Sequence, residues 1–135
     1  VFVGTPSDKY KIDDLRDSGA AVKWISAEPL VDSLGEVDLT DIDWMVIGGE
    51  SGDPDKIEEI DLSWVRDLIT QCRSQNTTVF VKQLGEIWAE KNSSDHPHGG
   101  NIFEWPVDIR IRNMPMIYPS QPELDVLPGI DHAQV

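Results

Sequence analysis

The run Asp43-Trp-Met-Val-Ile-Gly-Gly-Glu-Ser-Gly52 limits what this chain can fold into more than any other stretch. Its first half is apolar without alternation, the pattern of a strand covered on both faces, and such strands belong to parallel sheets. Gly48 and Gly49 then let the backbone turn sharply or lie close to a ligand. Glu50 and Ser51 follow at the strand's carboxyl end, where α/β folds place their chemistry. Taken alone, the glycine pair reads as well as a tight strand-to-helix turn, with Glu50 solvated or capping the helix. The functional reading gains from the neighbouring strands, which end in a similar way.

Residues 1–3 read as a short strand ended by Gly4-Thr5-Pro6, and Ser7 or Asp8 is placed to cap a helix running to about Ser18, with Gly19 as its stop. Residues 20–26 form a second strand. Pro29 cannot donate to a ladder and pushes Glu28 toward an extended conformation, so pairing is expected to end there and Glu28 becomes a strand-end carboxylate. Residues 31–42 are a polar connection, with a turn or short strand around 37–39. Beyond an acidic loop at 52–61, Leu62, Trp64, Val65, Leu68, Ile69 and Cys72 recur near a helical period. That spacing predicts a helix from about 62 to 75, started by Asp61 or Ser63 and stopped at Asn76, with Cys72 as a small buried residue on its apolar stripe. Residues 77–81, β-branched and aromatic, form a further strand ended by Lys82-Gln83-Leu84-Gly85. The expected fold is therefore α/β, a mainly parallel sheet of strands at about 1–4, 21–26, 43–48 and 78–82 with flanking helices.

Three strands thus finish at Glu28, Glu50 and Lys82, and in a parallel sheet those ends share one edge. A lysine and two glutamates there can form a buried charge network, bind a polar substrate or serve acid-base chemistry. Gly48, Gly49, Ser51 and Gln83 would supply the substrate-binding backbone and hydrogen-bonding groups. The rival reading is a solvated cluster at the loop edge. Ile87-Trp88 is expected to dock on the sheet, and 91–101 reads as a loop. His96 and His98 are spaced like a metal pair, but no third ligand is near them in sequence, so no metal is expected. Residues 107–112 alternate as an edge strand with one charged face.

A chain of 135 residues is one domain, here 1–115 followed by a Pro-rich tail at 116–135, and falls short of the roughly 250 residues of a complete eight-stranded α/β barrel. Its net charge of −14 repels nucleic acid and anionic lipid, so neither is expected as a direct partner unless charge is strongly segregated. A basic protein partner is compatible with that surface. Cys72 is the sole cysteine, which excludes an internal disulfide and a cysteine-only metal cluster within one copy; the cytoplasm is the default location. No run approaches a membrane span, and the apolar start is too short for a signal peptide. The chain opens in strand-like sequence without a methionine, so residues upstream of Val1 are expected.

Several motifs in order resemble one family. Trp24-Ile-Ser-Ala-Glu-Pro-Leu30, the Asp43 to Gly52 run, Trp64-Val-Arg-Asp-Leu68 with Gln71-Cys72, and Phe80-Val-Lys-Gln-Leu-Gly85 are similar to the carboxyl-terminal half of a phage-associated three-cysteine-motif family. Its members look like relatives of radical S-adenosylmethionine enzymes. Gly99-Gly100, Glu104-Trp-Pro106 and Asp108-Ile-Arg-Ile-Arg112 with Pro115 resemble that family's closing segment, so the similarity covers about residues 1 to 115. It implies part of a TIM-like barrel, a half-barrel with an irregular carboxyl-terminal segment, and a polar pocket at Glu28, Glu50 and Lys82. The family's name-giving cysteines lie in a segment that would precede Val1, and Cys72 matches a helix position instead. No iron-sulfur cofactor is therefore expected on this chain.

Two functions follow. One is a truncated radical-SAM-like domain that keeps the polar pocket without the redox centre; the other is a non-enzymatic acidic interaction protein for a basic partner. A remnant with a purely structural role is a third. A homodimer is expected, because a parallel sheet needs cover on both faces and this chain supplies one strong amphipathic helix, one weak helix and the tail.

Overall fold

A computed structural model describes residues 1–116. Strands β1 (Trp24–Ala27) and β2 (Trp44–Gly48) pair in parallel, and β2 pairs in parallel with β3 (Thr78–Gln83), giving a three-stranded sheet in the order β1-β2-β3 that is not closed into a barrel. Ile47 lies opposite both Ala27 and Val81, so the registers of the apolar strand ends coincide. The register then shifts after Ile47, which sets Gly48 opposite Gln83. The strand expected at the start of the chain is a single parallel bridge, Phe2 to Ser26, with Val3 N donating to Ser26 O at 2.9 Å. It stops because the chain turns away at Gly4, whose carbonyl accepts from Val31 N beyond the end of β1.

Helix α1 (Tyr10–Arg16) is shorter than its pattern predicts, because Pro6–Asp8 forms a separate 3-10 turn. Asp8 holds that turn: its carboxylate accepts from the amides of Gly4 and Thr5 and from Lys11 Nζ at 2.9 Å. The Lys11 hydrogen bond first, and the Gly4 amide next, hold the Asp8 carboxyl down at about 2. Helix α2 (Leu62–Ser74) is begun by Asp61, whose side chain accepts from Ser63 N at 2.8 Å. Asn76, at φ 60°, reverses the chain after it, a conformation that asparagine tolerates better than most residues. Val65, Leu68, Ile69 and Cys72 form the buried stripe of α2. The sheet residues Ile25, Ala27, Met45, Ile47, Val79 and Val81 share that core.

The turn or short strand expected around 37–39 is neither ladder nor helix. Its backbone groups are taken up by Gln71 of α2 and by Gln75, which caps that helix: Gln71 Oε1 accepts from Val37 N, and Gln75 Oε1 accepts from Leu39 N while Gln75 Nε2 donates to Val37 O. Residues 107–112 also differ from the expected edge strand. Val107–Ile109 is a 3-10 turn, entered through Pro106, and only Arg112 forms an antiparallel bridge, to Phe80. The segment still covers the β3 edge, since Val81 N donates to Ile111 O and Asn113 N to Val79 O. Helix α3 (Glu86–Lys91) lies between β3 and this segment in sequence, and its Trp88 is buried in the core as the sequence predicts.

Alternate residues along the strands point to the opposite face of the sheet. There Trp24, Trp44 and Phe80 form a row, with ring centroids 5.6 Å and 6.0 Å apart, and Trp24 remains 42% exposed. Trp44 and Phe80 are half-buried, and Trp44 Nε1 donates to Asn113 O at 3.0 Å, so the segment after Arg112 reaches this row. The tail at 116–135 lies outside the described residues apart from Met116. Among those described, no helix is long and apolar enough to cross a membrane.

Candidate functional site

Glu28 and Lys82 continue the face that carries Phe80, one residue beyond β1 and near the end of β3. Their side chains meet, with Lys82 Nζ 3.1 Å from Glu28 Oε1. The lysine is more than half exposed, so the pair contributes on the order of 0–1 kcal/mol and its interest is positional. Gln83 is buried beside it: Nε2 donates to Gly49 O at 2.7 Å and lies 3.5 Å from Glu28 Oε1. That donation fixes the amide's orientation and leaves Gln83 Oε1 buried without a hydrogen-bond partner.

Gly48 is what lets these groups converge. A Cβ there would lie 2.8 Å from Glu28 Cγ and 3.0 Å from Gln83 Nε2, so the missing side chain is the space that both occupy. Gly49 serves a different need, because the backbone of Leu84 and Gly85 passes directly against it. Of the residues predicted for the site, Glu28, Ser51, Lys82 and Gln83 therefore line one cleft of about 400 Å³ at the carboxyl ends of the strands. Glu50 is not among its lining residues. Its carboxylate accepts from Glu58 N at 2.9 Å and its carbonyl accepts from Glu86 N, so it organises the acidic loop and the start of α3.

The cleft also contains residues that are not among the expected site residues. Phe80, His96, His98, Gly100 and Arg112 complete its wall. Arg112 donates to three backbone carbonyls, Val81 and Lys82 on β3 and Gly100 across the cleft, at 2.7–3.1 Å. Its guanidinium also lies over Trp105 at 5.0 Å and Phe80 at 5.8 Å. The signal for it was present: an alternating segment ending in arginine, able to pair beside the strand that ends in Lys82. His96 Nδ1 accepts from the amides of His98 and Gly100, so this lone pair is committed to the backbone. Among the described residues no three His, Cys, Asp or Glu side chains gather as a metal-holding group.

A larger hollow of about 910 Å³ runs along α2, walled by Glu36, Asp38, Asp67, Gln71 and Gln75. Its glutamine amides are already spent on the connection at 35–39, and no cation lines it. The cleft at the strand ends is the better candidate because its polar groups come from three separate strands and a closing segment.

Cys72 decides whether this chain's own residues suit an iron-sulfur cluster. The side chain is fully buried, its sulfur is 3.8 Å from Met45 Sδ, and burial pushes the thiol up to about 12. Cluster iron binds thiolates, and a lone thiol kept protonated inside an apolar core does not fit.

Fold and cleft together define an α/β domain with a small polar site at the carboxyl ends of sequential parallel strands. The chain belongs to the family described as a protein of unknown function (DUF5131), whose match covers residues 3–114. Neither a curated protein nor a solved structure matches it.

Proposed function

We propose that this chain is the pocket-bearing half of a phage-associated, radical-SAM-like α/β barrel protein, and that it holds a small polar ligand at the carboxyl ends of β1, β2 and β3. The observation that carries this reading is the meeting of Glu28, Lys82 and Gln83 around the space left by Gly48. The order of the sheet supports it too. The opening segment, β1, β2 and β3 lie side by side in sequence order and run parallel, as in a barrel wall, whereas a doubly wound sheet reverses its order part-way. The site reading involves no step through an iron-sulfur cluster, which the chain's own cysteine does not suit.

Amide NMR of the labelled protein against a panel of small polar compounds of both charge signs is the test. Binding is expected to move the amides of Gly49, Ser51, Lys82 and Gly100 together. Gly48→Ala, which crowds Glu28 and Gln83, is expected to erase the response while the rest of the spectrum stays in place. If no compound moves those amides at millimolar concentration, the pocket reading is discarded.

An interaction role without catalysis is the second reading, and the row of Trp24, which is exposed, with the half-buried Trp44 and Phe80 favours it. Its simplest form is a homodimer through that face; a basic protein partner would engage the acidic loop at 52–61 instead. Repulsion between two copies at −14 each opposes the dimer and is screened by salt. Sedimentation at low and high salt is expected to show the doubled mass at high salt, and a monomer at micromolar concentration in both buffers removes the dimer.

A further inference from the structure

We propose that the cleft selects an oxyanion: a small ligand bearing a carboxylate or a phosphate. The inference rests on the pocket reading and gives that pocket a ligand class.

The cleft runs against the charge of the molecule around it. With a net charge of −14, the surface at large repels anions, yet the fixed charges lining the cleft are Lys82 and Arg112 against the single carboxylate of Glu28, the nearby Glu86 carboxylate lying 3.4 Å from His98 Nδ1. Arg112 adds most to this. All three of its hydrogen bonds go to backbone carbonyls, and among the described residues no carboxylate lies within ion-pair distance of it. Carbonyl dipoles orient a guanidinium without cancelling its charge, and the rings of Phe80 and Trp105 hold its position. A fixed, uncompensated cation therefore borders the cleft.

The hydrogen-bonding inventory has the same sign. Lys82 has three N–H donors, and only the one toward Glu28 is engaged by a side chain. His96 accepts twice at Nδ1, which leaves Nε2 as the ring nitrogen free to donate. Ser51 adds a hydroxyl. The acceptors are fewer: Glu28, and Gln83 Oε1, which is sealed from solvent and out of reach of an entering ligand. A wall of donors with excess positive charge is complementary to a ligand made of acceptors with negative charge.

Glu28 then acts as an internal stand-in for that ligand. It occupies Lys82 at 3.1 Å when no anion is present, and an arriving carboxylate or phosphate competes with it for the ammonium. This makes the sign of one substitution informative. Glu28→Gln removes the competitor and is expected to tighten anion binding about threefold, whereas it would weaken any ligand that used Glu28 as an acceptor.

The experiment is an amide NMR titration at low ionic strength with inorganic phosphate, succinate and the diamine putrescine as separate probes. Phosphate or succinate is expected to move the amides of Ser51, Lys82 and Gly100 saturably, with Lys82→Met weakening the response about tenfold. A response to phosphate alone assigns a phosphate ligand, and a response to succinate alone assigns a carboxylate. Binding of putrescine in place of both anions, abolished by Glu28→Gln, overturns the oxyanion assignment and leaves the pocket reading standing. Silence toward all three probes, together with silence across the wider panel, overturns both.

Discussion

Gly49→Ala is expected to cost about 3 kcal/mol of stability and lower the melting temperature by roughly 10 °C, while Gly48→Ala, one residue earlier, costs about 1 kcal/mol or less. The difference lies in what the added carbon meets. At Gly49 it would lie 2.5 Å from the carbonyl carbon of Leu84 and 2.7 Å from Gly85 N, both backbone atoms. Neither strand can give way easily. Gly49 N is bonded to Gln83 O, Leu84 N to Gly99 O and Gly85 N to His98 O, so separating the segments strains hydrogen bonds on both sides of the contact. At Gly48 the closest atoms belong to the Glu28 side chain, which can swing away at the expense of the cleft, while Gln83 Nε2 at 3.0 Å has to give only slightly. Chemical and thermal denaturation of the two variants measures the contrast. Equal midpoints would show that the Leu84 backbone has room to retreat.

Trp105→Ala is expected to have a larger effect, about 3–5 kcal/mol. Trp105 is the largest fully buried side chain among the described residues, and its Nε1 donates to Gly99 O at 2.8 Å. The indole also lies 5.0 Å beneath the Arg112 guanidinium. Its loss leaves a cavity under the closing segment and frees both sides of the cleft wall, Gly99-Gly100 and Arg112. Hydrogen exchange is expected to show the amides of Val81, Leu84 and Gly85 losing protection first, because their acceptors, Ile111, Gly99 and His98, lie within seven residues of Trp105 in sequence. Trp105→Phe keeps most of the apolar volume and is expected to retain the greater part of the stability. An alanine variant that melts with the unsubstituted protein would mean that the segment is held by Arg112 and its carbonyl contacts instead.

The sheet was legible in the sequence because its signals are local. The apolar run before Gly48 has no alternation to misread, and Asp61, the stripe of α2 and Asn76 mark that helix from start to stop. The misplaced elements depend on partners far along the chain. Residues 37–39 suit a turn or a short strand, but whether they form a ladder is decided by Gln71 and Gln75, 34 to 38 positions away. Residues 107–112 alternate as an edge strand does, yet Pro106 and the burial of Ile109 turn the first half of the segment into a 3-10 turn. The site shows the same division. Glu28, Lys82 and Gln83 were readable as strand ends, whereas the direction of the Glu50 carboxylate depends on the fold of the loop after it, which brings Glu58 N within reach. Arg112 was recognised as part of a segment, but its place in the cleft follows from the antiparallel bridge to Phe80.

Gln71 and Gln75 have a consequence for how the molecule meets other chains. Val37 and Leu39 are buried and apolar on either side of Asp38, an alternation that templates strand addition when its backbone is bare. Here the amides of Val37 and Leu39 and the carbonyl of Val37 are bonded to side chains projecting from a helix and its cap, with Gln71 Nε2 also holding Gly35 O. A backbone strand in the same place would satisfy those groups and present a fresh row of its own on the far side, to which another strand could add. Side-chain amides have no such row, so growth by strand addition has no template along this stretch.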